Sequence, residues 1–172
     1  DRLRNVSNEF AMHIINKLTG CAKNGERENN FVVLCVVDLV YGLLEENNEV
    51  LFISCYPERK KAIYRGLFNV GTCCIENNFE EGLRSVSNAL GWLIIYNIKQ
   101  AVGQSVIYLI ERASELYIIS KRMEVTSKTQ TYLLTLFTTV GTYCCKESKN
   151  QLYLNKILDC IKNEDREKFR RR

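Results

Sequence analysis

The stretch Val102–Arg122 decides the fold class, and it reads VGQSVIYLIERASELYIISKR. Its apolar side chains recur every three or four residues, at Val106, Leu109, Ile110, Ala113, Leu116 and Tyr117. This spacing is typical of a helix with one buried face. Lys121 and Arg122 close the stretch, where cations interact favourably with the negative end of the helix dipole. The pattern predicts an amphipathic helix over about 102–122.

The same spacing recurs along the whole chain and predicts seven helices. They are expected at about 5–23, 30–47, 57–77, 79–100, 102–122, 127–146 and 149–168. Ser127 and Ser148 are the expected N-terminal caps of the last two. The chain has one proline in 172 residues, where ordinary usage would give roughly eight. Because helix interiors exclude proline, this scarcity also predicts an all-α chain.

Two recurring features predict internal repetition. The tetrapeptide Glu-Asn-Asn-Phe occupies 28–31 and returns at 76–79, and Gly42, Gly91 and Gly141 are spaced 49 and 50 residues apart. Glycine costs a helix interior about 1 kcal/mol relative to alanine, so a periodic glycine suggests close helix approach. We expect stacked antiparallel helical hairpins at about 5–47, 57–100 and 102–146 and a closing helix at about 149–168. This architecture is similar to HEAT or armadillo α-solenoids; an irregular bundle with chance recurrence is the alternative.

Composition restricts the class of protein. Hydrophobic residues make up 46% of the chain and the formal net charge is +4, which excludes intrinsic disorder. The longest apolar run, 31–44, has fourteen residues and is broken by Asp38, too short to span a bilayer. We expect a single all-α domain over 1–172 that is excised from a longer chain. A membrane segment that flanks this domain in the longer chain is compatible with the expectation. The expected location is the cytoplasm, alone or as the cytosolic domain of a larger protein.

The eight cysteines include two adjacent pairs, Cys73-Cys74 and Cys144-Cys145. Seven of the eight lie within apolar helical patterns, which favours reduced thiols that fill a core. Neighbouring residues on a helix point about 100° apart, so one pair cannot easily chelate one ion. Four thiolates from two packed helices could hold zinc, and a thiol beside Lys146 could sense redox state. Core filling is the favoured interpretation of both pairs.

Two further side chains are weak site candidates. His13, the only histidine, lies one turn after Glu9, and Asp38 is the one acid in an apolar run. Neither belongs to a recognisable constellation, so the sequence predicts no catalytic residue, no cofactor and no bound metal. The favoured hypothesis is a non-catalytic helical interaction or scaffold module that binds a protein partner or itself.

Two alternatives stay open at this stage. The first is a regulatory nucleic-acid-associated protein that uses the basic residues at 59–61, 121–122 and 170–172, although nucleic acid is not the expected partner because the pI is only about 8.6. The second is a helical enzyme or small-ligand-binding protein with an interhelical pocket near Asp38 and Trp92.

Overall fold

The computed structural model describes residues 57–123 and 125–161, with side chains from Tyr64 onward. This part of the chain forms five α-helices and one short 3-10 helix, without a strand. The α-helices are α1 (Pro57–Glu76), α2 (Glu80–Lys99), α3 (Gly103–Arg122), α4 (Ser127–Cys144) and α5 (Gln151–Cys160). The all-α prediction is confirmed for the described residues. The helices predicted at 5–23 and 30–47 lie outside them, so the total of seven stays a prediction.

Helix bounds agree closely with the apolar spacing, and the exceptions lie at helix ends. Helix α4 ends at Cys144, two residues before the predicted end. A 3-10 helix, Ser148–Asn150, replaces the predicted first turn of the closing helix, and α5 begins only at Gln151. Ile161 then has an extended backbone (φ −90°, ψ 127°), so α5 ends at Cys160. The remainder of the predicted 149–168 helix lies outside the described residues.

Neither predicted N-terminal cap is correct. Thr126, and not Ser127, caps α4: its hydroxyl oxygen accepts a hydrogen bond from the backbone N–H of Thr129 at 3.4 Å. Ser127 is instead the first residue of the helix. Ser148 begins the 3-10 helix, and no side chain caps α5 at Asn150. Runs of hydroxyl residues such as Thr126-Ser127 leave the capping position ambiguous by one residue.

The chain divides into two compact units, 1–89 and 90–172, with the division inside α2. In the first unit the described core comes from α1 and the first half of α2: Tyr64, Leu67, Val70, Cys74, Ile75, Leu83, Val86 and Ala89 are buried. No helix among the described residues combines the length and apolarity that crossing a bilayer requires. The single domain expected over 1–172 stays a prediction.

The second copy of the repeated tetrapeptide forms the turn between α1 and α2. Asn78 has a positive φ of 52°, a conformation that asparagine tolerates better than most residues. The N–H of Phe79 donates to the carbonyl of Cys74, and the N–H of Asn78 donates to that of Ile75. These bonds form a Schellman motif, which satisfies the last carbonyls of α1. The first copy, at 28–31, lies outside the described residues.

In the second unit, helices α3, α4 and α5 pack against one another in every pairing. The rings of Tyr117 and Phe137 meet edge to face, with centroids 6.2 Å apart, and join α3 to α4. The ammonium group of Lys156 on α5 lies 2.7 Å from a carboxylate oxygen of Glu111 on α3. Each of these three helices contributes buried apolar side chains, among them Leu109, Leu133 and Ile157.

The C-terminal half of α2 lies beside α4 and runs in the same direction. A Cβ placed on Gly91 would lie 3.7 Å from Leu136, and eight residues later in α2 Lys99 lies 6.0 Å from the ring of Tyr143. The two contacts advance together along both helices, so the helices are parallel. Gly91 therefore stands at a helix contact, although the 3.7 Å separation leaves room for a methyl group, and equivalent contacts at Gly42 and Gly141 stay a prediction.

Candidate functional site

The first cysteine pair, Cys73-Cys74, lies at the end of α1, and the pKa of both thiols is raised. Burial, and to a smaller extent the adjacent Cys73, raises the pKa of Cys74 to about 12. Burial also raises the pKa of Cys73. The side-chain amide of Asn77 donates a hydrogen bond to the Cys73 sulfur at 3.2 Å, which lowers this pKa but does not cancel the effect of burial. A thiol is a weak nucleophile and a poor metal ligand until it loses its proton.

The second pair ends α4 and divides into a buried and an exposed residue. Cys144 is buried, and its pKa is raised to about 11, first by burial and then by the neighbouring Cys145. Cys145 is exposed. The described residues contain no disulfide bond at any of their five cysteines, Cys73, Cys74, Cys144, Cys145 and Cys160. Within 57–123 and 125–161, no three His, Cys, Asp or Glu side chains are grouped as metal ligands would be.

The remaining sequence candidates fall mostly outside the described part. His13 and Asp38 both lie before residue 57, so the structure does not test them or the pocket expected near Asp38 and Trp92. Trp92 itself is half-buried and stacks on Tyr96, with ring centroids 5.2 Å apart. Among the basic residues of the nucleic-acid hypothesis, side chains are described only at 121–122. There Lys121 lies 5.3 Å from the ring of Tyr117, and Arg122 is exposed.

The structure adds a site that the sequence analysis missed, a groove between α2 and α4. Ile95 contributes from α2; Thr135, Thr138, Thr139, Thr142, Tyr143 and Lys146 contribute from α4 and the residues just after it. The groove has a volume of about 430 Å³ and is open to solvent. We call this set of seven residues the α2–α4 groove.

The hydroxyl groups of two groove threonines are occupied within α4 itself. Thr138 donates to the carbonyl of Leu134 at 2.8 Å, and Thr139 donates to the carbonyl of Thr135 at 2.9 Å. These protons therefore need no acceptor from a bound molecule. The threonine methyl groups, Ile95 and the Tyr143 ring make the α2–α4 groove mildly apolar.

Both charges beside the groove are positive and lie at one end. Lys99, in the last turn of α2, lies over the ring of Tyr143, and Lys146 follows the end of α4. No Asp or Glu is among the described residues that line the groove. The nearest acid in sequence, Glu147, is bound by Lys149 at 2.7 Å, and this hydrogen bond raises the pKa of Lys149.

A sequence signal for this groove was present. Threonines recur at 135, 138, 139 and 142, with the spacing of one helix face, although threonine is a poor helix former. Apolar spacing marks only the buried side of a helix, so it did not point to the opposite face. A β-branched stripe on the exposed side of a helix is the pattern that could have identified it.

No family model matches the chain, and no curated protein or solved structure is detectably similar to it. Function is therefore inferred from the residues of this chain alone.

Proposed function

We propose that this chain is a non-catalytic helical interaction module and that the α2–α4 groove is its docking surface for a protein partner. The observation that carries the proposal is the groove itself, a mildly apolar, threonine-lined surface with lysines at one end. Open grooves between helices are a recurrent way of receiving a partner's helix. An enclosed pocket, which would bury most of a small ligand, is the more usual site for a metabolite.

The proposed architecture is a short solenoid of helical hairpins. Helices α2 and α4 are the second helices of the predicted hairpins at 57–100 and 102–146. Their parallel course, with Gly91 of α2 against α4, supports hairpins that stack in register. Solenoids use the surface formed by equivalent helices of successive repeats for binding, so a groove between α2 and α4 fits this proposal.

The chemistry of the described cysteines supports a non-catalytic role for them. Cys74 and Cys144 are buried and have raised pKa values, which suits packing and opposes nucleophilic catalysis.

The test is site-specific photo-crosslinking from the groove, with a control on the same helix. Thr139 and Thr131 are both exposed, and each donates its hydroxyl to the carbonyl four residues earlier, at 2.9 and 2.8 Å. Only Thr139 lines the groove. A photoreactive residue at each position is irradiated in an extract of the source cells, and the crosslinked proteins are identified.

A supporting result has two parts. A protein is crosslinked from position 139 and not from 131, and the same protein, once purified, binds the unmodified chain but not Thr139→Glu. Thr131→Glu should bind normally. Equal crosslinking from the two positions, or no crosslinking from 139, would contradict the proposal.

A further inference from the structure

We infer that the occupant of the α2–α4 groove is an amphipathic helix of a partner protein, whose acidic residues lie at the end marked by Lys99 and Lys146. The inference rests on the proposed function and specifies the chemistry of the partner. It follows from the secondary structure of the groove walls, from their length and from the position of the two lysines.

The groove walls favour a helix over an extended peptide. Strand addition needs unpaired backbone N–H and C=O groups, and those of α2 and α4 are bonded within each helix except at the ends. A helix instead binds by its side chains. From Thr135 to Tyr143 the groove extends about 12 Å along α4, at about 1.5 Å per residue. This length matches two turns of a bound helix, with apolar residues at spacings of three and four.

The lysine end attracts negative charge. Lys99 and Lys146 contribute two positive charges, whereas the C-terminal ends of α2 and α4 contribute roughly half a negative charge each. The sum is about one positive charge. Neither lysine forms an ion pair among the described residues, so both can bind carboxylates of a partner.

A second copy of the described region lacks the surface that would fill the groove. Its exposed large hydrophobic residues are Val102, Met123 and Leu152, which stand at the start of α3, after α3 and in α5. No described helix therefore offers an exposed apolar stripe. This distribution favours a different protein over self-association.

The experiment uses two synthetic 18-residue helical peptides and the full chain. Both peptides are alanine-based with one stripe of leucines; the first carries two glutamates in its first turn and the second carries glutamines there. Binding is measured by fluorescence anisotropy at low and high salt. The variants are Lys99→Gln, Lys146→Gln and Thr139→Glu, with Arg122→Gln as the matched control for the lysine substitutions. Arg122, like Lys99, lies in the last turn of its helix.

The acidic peptide should bind more tightly than the glutamine peptide, and high salt should reduce this difference in affinity. Each lysine substitution should weaken the acidic peptide about 1.4- to fivefold, as expected for exposed ion pairs, and leave the glutamine peptide unchanged. Thr139→Glu should weaken both peptides, and Arg122→Gln should weaken neither. Circular dichroism confirms that each variant remains folded.

Three results would overturn the inference. Equal affinity for the two peptides would show that the groove does not select for negative charge. If neither peptide bound, the groove would not be a site for an amphipathic helix. Self-association of the chain that Thr139→Glu abolishes would assign the groove to a second copy. The crosslinking experiment tests the proposed function separately. A partner captured from position 139 would support the docking surface even if that partner did not bind through an acidic helix.

Discussion

Two glycines of α2 should respond in opposite ways to the same substitution. A Cβ placed on Gly82 would lie 2.5 and 2.6 Å from ring carbons of Phe79 and 2.8 Å from the sulfur of Cys74. Alanine gains about 1 kcal/mol over glycine from helix propensity, but overpacking a filled site costs about 1–3 kcal/mol. Cys74 is buried and cannot move aside easily. We expect Gly82→Ala to lower the free energy of unfolding by about 1 kcal/mol.

Gly91→Ala is the matched control in the same helix. The new methyl would lie 3.7 Å from Leu136, an ordinary van der Waals separation. Without a steric penalty the propensity gain remains, so the free energy of unfolding should rise by up to about 1 kcal/mol. The two alanine variants should therefore differ by about 2 kcal/mol, or roughly 4–8 °C in Tm for a chain of this size.

Urea unfolding followed by circular dichroism measures both changes. Coincident transitions by a second probe are needed before two-state free energies are compared. In a Phe79→Ala background the penalty of Gly82→Ala should shrink, because the ring carbons nearest the new methyl are gone. If both glycine variants are stabilised equally, the space beside Gly82 is not filled as described and the steric reasoning is refuted.

Three further predictions concern the end of α2 and the thiols. Ala101 has a positive φ of 56°, which is strained for alanine, so Ala101→Gly should raise the free energy of unfolding by about 1 kcal/mol. Urea unfolding measures this change, and an unchanged free energy would contradict the backbone strain. Because the pKa of Cys74 rises from 9.0 to about 12, the folded chain holds a proton that the unfolded chain loses, and stability should fall above pH 9 by up to about 1.4 kcal/mol per pH unit. Urea titrations at pH 8 and 10 check this, and Cys74→Ala should reduce the slope. In native thiol labelling at pH 8, Cys145 should react well before Cys74 and Cys144, and equal rates would contradict their burial.

Local spacing predicted the helices of the described part because the buried faces follow a 3.6-residue period. Leu109, Leu116 and Val140, all expected on apolar faces, are fully buried. The turns were harder to predict from the sequence, because their conformation depends on backbone geometry. The tetrapeptide at 76–79 was recognised as a repeat, but its role became clear only from the positive φ of Asn78.

The candidate site was harder to predict than the helices. A groove needs two helices side by side, and nothing in the spacing of α2 or α4 alone specifies that Ile95 lies opposite Thr139. The cysteine pairs stood out in the sequence because adjacent cysteines are unusual. The raised pKa values of Cys74 and Cys144 depend on burial by residues distant in sequence, which composition does not reveal.

The stacked ring of Trp92 has a practical consequence for the α2–α4 groove. Trp92 is the only tryptophan of the chain and precedes Ile95, the groove residue of α2, by three positions. Side chains three apart on a helix are neighbours. The whole tryptophan emission of the protein therefore originates one helical turn from the proposed docking surface, and a half-buried indole is sensitive to the exclusion of nearby water. The molecule carries an intrinsic optical reporter at that surface, so its occupancy can be followed without attaching a dye.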